Sequence, residues 1–256
     1  MPRLQIEIVP CLSDNYAYLV HDPKEGVCAV VDPSEPGPVL AALDRHGLKL
    51  THILNTHHHF DHTGGNIPLQ QQFGARIVGP EKDRERIPGI DVGVGEESVW
   101  SLGSHRARIL EIPAHTRGHI AFAFEDDQAV FTGDTLFALG CGRLFEGTPD
   151  MMWTSLSKLM ALDDRMAVYC GHEYTLSNGR FALTLEAGNR DLRSRMAEVQ
   201  LLRTKNEATI PSTIDLEKRT NPFLRPDSPE IRHTLNMAAA ANVEVLAEMR
   251  RRKDAF

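Results

Sequence analysis

No apolar run in this 256-residue chain approaches the roughly 20 residues that a membrane-crossing helix needs. The opening segment, Met1-Pro2-Arg3-Leu4-Gln5-Ile6-Glu7-Ile8, alternates like a strand and lacks the apolar core of a signal peptide, so a cytoplasmic protein is expected. The four cysteines (Cys11, Cys28, Cys141, Cys170) are scattered, with no Cys-x-x-Cys pair. They read as reduced thiols of the cytosol, packed rather than ligating, with Cys141 and Cys170 the two that could otherwise bind a metal. No internal repeat of solenoid period is present. An excess of positive charge is missing too: 28 Lys and Arg stand against 35 Asp and Glu, a net charge of −7. Without a long basic stripe, nucleic acid is not the expected partner. The deficit is uneven. Residues 1–173 carry 14 basic and 24 acidic side chains, whereas residues 174–256 carry 14 and 11, so the tail could attract a small anion. Hydrophobic content of 41% and charged content of 25% are ordinary globular values, enough for one large α/β domain or a domain with an appendage.

What the chain does have is concentrated at Thr56-His57-His58-His59-Phe60-Asp61-His62, directly after the apolar pair Ile53 and Leu54. The pattern His-x-His-x-Asp-His offers His57, His59, Asp61 and His62 as ligands, imidazoles suiting zinc and iron and a carboxylate adding charge. In an extended segment His57 and His59 project to one side and His58 to the other. Asp61 and His62 are adjacent and need a turn to reach a second centre beside the first. Packing alone does not call for so many such groups, and the spacing suggests two metals.

Strands are expected at 5–9, 17–21, 27–31, 52–55, 76–78, 108–112, 120–124, 129–131 and 167–169, with a hairpin turn at Glu125–Gln128. Helices are expected at 38–45, with Leu40 and Leu43 inward, at 66–73, and at 151–161, where Trp153, Leu156, Leu159 and Met160 form a core-facing stripe. Beyond Tyr174 strand signals fade. Residues 181–204 and 228–253 read as two helices joined by a link containing Pro211, Pro222 and Pro226. Pattern and charge together divide the chain into 1–173 and 174–256.

Three further sites share the local grammar of the histidine motif, in which a strand ends, the chain turns and a ligand appears. They are His115 in Ile112–Thr116, Asp134 after the permissive Gly133, and His172 in Tyr169–Glu173. With Thr56–His62 they resemble the metallo-β-lactamase superfamily, which implies an αββα sandwich with metals at one edge. Further segments narrow the resemblance to the hydroxyacylglutathione hydrolases (glyoxalase II). These are Leu12–Tyr16, Val31–Pro33, Gly133–Phe137, Gly140–Arg143, Phe145–Gly147, Gly171–Thr175 and Thr220–Arg225.

That resemblance implies a first metal on His57, His59 and His115, a second on Asp61, His62 and His172, and Asp134 bridging the two. Two divalent ions per chain are expected, zinc first and iron or manganese as alternatives. A bridging water ionised to hydroxide would attack a thioester carbonyl, with Asp61 and Asp134 completing the catalytic centre. The leaving thiol has a pKa of about 8.5, so no dedicated general acid is needed. Glutathione carries one more negative than positive charge, and the resemblance assigns its recognition to Arg143, Tyr174, Arg250 and Lys253. Residues 174–256 would then be an α-helical glutathione-binding domain beside a catalytic domain at 1–173, in a protein expected to be a monomer. Arg250 and Lys253, three apart, share a helix face, although the run Arg250–Lys253 taken alone reads as a solvated helix end. Phe145 departs from the family pattern, where many relatives carry Tyr, and removes one hydroxyl from the expected contacts. His58 is expected either behind the ligands or as an exposed neighbour, His119 as a residue behind His115, and Asp32 as a carboxylate orienting a ligand histidine.

Rival readings share the fold. A persulfide dioxygenase would use one iron held by two histidines and one aspartate and lack the helical tail. A β-lactamase would be secreted, and a phosphodiesterase acting on RNA would want a gripping arm and a more basic surface. A non-enzymatic metal-binding module would not explain seven ligands in two centres beside an anion site.

Overall fold

A computed structural model describes residues 3–96 and 98–256. The first sheet takes its strands in chain order: β1 (Gln5–Cys11), β2 (Asn15–Asp22), β3 (Val27–Val31), β4 (His52–Leu54), β5 (Arg76–Pro80) and β6 (Val92–Val94). The pairs β1–β2 and β2–β3 are antiparallel, and β3 to β6 run parallel. The parallel part needs crossovers, and α1 (Pro36–His46) and α3 (Asn66–Phe73) lie in those from β3 to β4 and from β4 to β5.

In the second sheet β7 (Val99–Leu102), β8 (His105–Glu111), β9 (Ile120–Phe124) and β10 (Ala129–Gly133) form an antiparallel meander. On its far side β13 (Ala167–Cys170) joins β10 in parallel, and β14 (Ser212–Thr213) closes that edge. A small hairpin of β11 (Leu136–Phe137) and β12 (Gly140–Cys141) stands apart.

Alternation along each strand decides the layers. In β3, Ala29 and Val31 enter the core between the sheets, whereas Cys28 and Val30 face the layer under α1 and α3. Tyr18, Leu54, Ile109, Phe122 and Phe131 fill the inter-sheet core, and Val39, Leu43, Ile53, Leu69 and Ile77 fill the outer one. On the far face of the second sheet, Ala121, Ala123, Val130 and Val168 meet Leu156 and Leu159 of α4 (Pro149–Met160). Phe181, Phe223, Val245, Leu246 and Met249 belong to that same cluster, so the helices beyond Tyr174 share the fourth layer's core. The architecture is the expected αββα sandwich.

Differences from expectation have local causes. The helix expected over 181–204 is two, α5 (Thr175–Leu185) and α6 (Arg190–Thr204), because Asn189 caps α6 by accepting from Leu192 N. The helix expected over 228–253 is likewise α8 (Pro229–Leu235) and α9 (Asn242–Asp254), broken where Asn236 adopts φ 58°. The Pro-containing link holds a further helix, α7 (Ile214–Thr220), started by the Thr213 side chain on Leu216 N. In α1, Val39, Ala42 and Leu43 are buried and Leu40 only partly so. In α4, Trp153 and Met160 pack at the cluster's margin while Met152 is fully buried.

Candidate metal centre and substrate pocket

The motif residues sit where β4 ends. His57 follows the strand after Asn55 and Thr56, and a one-turn helix, α2 (Phe60–Thr63), carries Asp61 and His62. His115 lies beyond β8, Asp134 beyond β10 and His172 beyond β13. All seven expected ligands are brought to one edge of the sandwich.

Two clusters form there, each with one donor atom per residue within 4.8 Å of the others: His57, His59 and His115, and Asp61, His62 and His172. His59 Nδ1 lies 3.1 Å from both His57 Nε2 and His115 Nε2. His62 Nε2 lies 3.3 Å from His172 Nε2. Asp134 stands between the clusters, with Oδ2 3.4 Å from His115 Nε2 and 3.3 Å from His172 Nε2, and Oδ1 3.4 Å from His62 Nε2.

The outward ring nitrogens are held from behind. Nδ1 of His62 is 3.1 Å from Asp32 Oδ2, Nδ1 of His172 is 2.8 Å from Asp14 Oδ1, and Nδ1 of His115 is 3.0 Å from the Arg143 carbonyl. Such partners fix the ring and its tautomer, leaving the Nε2 lone pair free. Asp32, His57 and His62 also form a compact group, but both Asp32 oxygens are taken by Thr56 (its N at 2.7 Å and Oγ1 at 2.6 Å) and His62. Asp32 therefore faces His62 from behind with neither oxygen left over. Asn15 Nδ2 donates to Asp61 Oδ2 at 3.0 Å.

The donor set fits divalent cations. Burial, with neighbouring histidines, lowers the pKa of His57 far below the usual range, that of His59 to about 4, and that of His115. Burial thus favours the neutral form of these three rings, whose nitrogens face one another. Burial also opposes charge on His62 and His172, yet Asp134 lifts both above the usual histidine range. Asp134, against its own burial, is held well below the carboxylate range by those same two rings. The centre thus favours positive charge, and among the described residues the buried Asp134 Oδ1 has no hydrogen-bond partner, with His62 Nε2 3.4 Å away.

Two glycines let the loops meet. A Cβ on Gly171 would fall 2.3 Å from Asp134 Oδ1, and one on Gly133 (φ 48°) would fall 2.3 Å from Thr56 Oγ1.

A cavity of about 530 Å³ opens on this centre, bounded by His59, Asp61, His115, Asp134 and His172 at one end. Arg143, Tyr174, Arg250 and Lys253, the four expected glutathione contacts, line the rest with Cys141, Ser177, Asn178 and Phe256. Arg250 is only 6% exposed and donates to the Cys141 carbonyl at 2.7 Å, so it is no solvated helix end. Asp254 pairs with Arg250 at 2.9 Å and Arg143 at 3.5 Å, gathering both cations at one wall. Tyr174 stacks on the His172 ring at 4.7 Å. Cys141 and Cys170 behave as packed thiols, burial pushing them to about 11 and about 12.

Residues 13–172 match the family model of the metallo-β-lactamase superfamily, and residues 173–256 match that of the hydroxyacylglutathione hydrolase C-terminus. A hydroxyacylglutathione hydrolase of Methylococcus capsulatus is 55% identical over 253 residues, covering 99% of each chain. One of Maricaulis maris is 51% identical over 256 residues, covering 100% of each. The chain belongs to the hydroxyacylglutathione hydrolase family. Its backbone is also similar to that of BLEG-1, a B3 metallo-β-lactamase, with a TM-score of 0.67 at 21% identity over 86% of this chain and 100% of that one.

Several site residues of this hydrolase family member escape a reading of the sequence alone. Asp14 and Asn15 lie within a recognised segment, but only folding puts them on His172 and Asp61. His58 is tied at 3.1 Å to Asp83, which is fully buried and carried no signal in the sequence. His119 stacks on His57 at 4.6 Å and accepts from Asp134 N at 3.0 Å, so it stands behind His57 more closely than behind His115.

Proposed function

We propose that the chain hydrolyses S-(2-hydroxyacyl)glutathione, S-lactoylglutathione among such substrates, to glutathione and a 2-hydroxy acid, the second step of methylglyoxal detoxification. The observation that carries this reading is one cavity joining the His/Asp clusters to a wall of Arg143, Arg250 and Lys253. His57, His59 and His115 would hold one divalent ion, Asp61, His62 and His172 a second, and Asp134 would bridge them. Zinc suits this mixed imidazole and carboxylate set, as do iron and manganese. When bound, such ions bring a water's pKa toward neutrality and polarise a carbonyl oxygen.

The chain's own residues do the rest. Asp61 and Asp134 offset the charge of two neighbouring cations, while Asp14 and Asp32 keep His172 and His62 turned inward. Arg143, Arg250 and Lys253 hold the substrate's carboxylates, and burial keeps the Tyr174 hydroxyl protonated as a donor. Residues 1–173 would serve as the catalytic unit and 174–256 as the glutathione-binding unit. The four buried free thiols suit a reducing, cytoplasmic compartment, and we take the protein to act as a monomer.

Turnover assays separate this reading from its rivals. S-lactoylglutathione should be hydrolysed, and nitrocefin and a phosphodiester should not; failure on the thioester with turnover of either other substrate would sink the proposal. Metal analysis of protein purified without chelator should give about two ions per chain. One tightly held ion with full activity would exclude the binuclear centre.

A pH dependence follows from Lys253. Burial first, then Arg250 and Arg143, lowers its ammonium to about 8. Its charge is present below that pH and lost above it, so KM for the anionic substrate should rise between pH 7 and pH 9. A Lys253→Arg variant stays charged and should flatten that limb. An unchanged limb would mean that another group titrates.

A further inference from the structure

Outside the pocket, two carboxylates brace the loops that build the His57, His59 and His115 cluster. Asp83 is fully buried and receives His58 Nδ1 at 3.1 Å on one oxygen. It also lies against the loop that follows His115, since a Cβ on Gly118 would fall 2.2 Å from its Oδ1. Glu146, one-fifth exposed, receives Arg117 N at 2.8 Å, and its own N–H donates to the Ala114 carbonyl at 3.4 Å. Those two contacts bracket His115. The preceding residue, Phe145, sets its ring 5.1 Å from His115 and 5.9 Å from His59.

Arg86 joins the two carboxylates. Its Nη2 is 2.5 Å from Asp83 Oδ1, and its Nη1 and Nη2 are 2.6 and 3.2 Å from the two oxygens of Glu146. A planar guanidinium can serve two carboxylates in this way with fixed geometry, which an ammonium cannot. The pairing is reflected in Glu146, whose carboxyl Arg86 holds down at about 2. Arg86 itself does not line the cavity.

We infer that Arg86 is a positioning residue, acting through Asp83 and His58 on the first metal cluster and through Glu146 on the Phe145 wall of the pocket. The inference rests on the metal-centre reading proposed above. Two consequences can be told apart. Losing the Asp83 half slackens His58, which lies between two ligands in the chain, and should weaken one metal ion. Losing the Glu146 half frees Phe145 and should weaken substrate binding.

The experiment compares wild type, Arg86→Met, Arg86→Lys and Glu146→Gln, measuring metal transfer to a chromogenic chelator together with kcat and KM. Arg86→Met should release one of its two ions about tenfold more readily, the lower end for a residue behind the ligands, and should raise KM. Glu146→Gln should raise KM while holding both ions as wild type does, and this milder change keeps the question open to test if Arg86→Met folds poorly. Arg86→Lys should recover part of each loss. A wild type that binds no metal would overturn the metal-centre reading and this inference together. A wild type loading two ions, beside an Arg86→Met variant that holds them equally tightly with unchanged kcat and KM, would overturn this inference alone. A shift in Tm with nothing else changed would likewise reduce the network to a surface brace.

Discussion

Asp134→Ala should strip both metal clusters and lower turnover by several orders of magnitude. Its side chain is buried, and its two oxygens face His62, His115 and His172 at 3.3–3.4 Å. Among the described residues no other carboxylate pairs with histidine Nε2 atoms of both clusters, since the histidines that Asp61 approaches are His62 and His172. Without Asp134, the imidazoles of His57, His59 and His115 would have to hold a dication with no negative charge beside them, next to a second dication. The loss should exceed the ~10–100-fold typical of a residue behind the ligands. The contrast is His58→Ala. His58 bonds outward to Asp83 and faces away from the clusters, so its loss should loosen one ion by about tenfold at most and leave metal content near that of wild type. Metal analysis after gel filtration, followed by kcat with the same metal in the buffer, measures both. Equal damage from the two variants would mean that the ligand assignment is wrong.

Much of this centre could be read from the chain because its candidate ligands obey a local rule, each group following a strand and a turn. The strands themselves were visible where both faces are buried, as in β3 and β9, whose runs are nearly all apolar. β6 and β7 were not, being three and four residues long and only partly buried at the sheet margins. The break between α5 and α6 hid for a different reason. Phe181, Leu185, Leu192 and Met196 are all buried and continue one apolar stripe past Gly188 and Asn189, so periodicity outvoted the cap. The residues behind the ligands were the least accessible of all. Asp14 meets His172 across 158 positions and Asp83 meets His58 across 25, and such pairings are set by packing between layers rather than by spacing. Arg250 shows the same limit from the other side: a run of four cations suggests solvent, yet α9 turns this one onto the Cys141 carbonyl.

That burial sharpens the expectation for the helix end. Replacing both Arg250 and Lys253 by alanine should cut kcat/KM for S-lactoylglutathione by about a hundredfold or more. Each charge-assisted hydrogen bond to a carboxylate contributes about 1.5–3 kcal/mol, and two at the lower end already reach two decades. The loss should fall mainly on KM, because the cations hold a part of the substrate remote from the reacting carbonyl and bind ground and transition states alike. Arg250 should matter more than Lys253. It is almost fully buried, with Asp254 at 2.9 Å, whereas Lys253 is partly exposed, bonds to Ser177 at 3.1 Å and lies over the Phe181 and Phe256 rings. Removing Arg250 also leaves Asp254 in the pocket with only the more distant Arg143 pair, a negative charge that then repels the anionic substrate. A second variant, Arg250→Ala with Asp254→Asn, tests that point and should recover part of the KM. Metal content should be unchanged in both, since neither cation touches the clusters. A small uncharged thioester should be hydrolysed equally by wild type and variants, because it never used those groups. If the double variant handles S-lactoylglutathione as wild type does, the basic wall does not bind glutathione, and the substrate must be held elsewhere in the cavity.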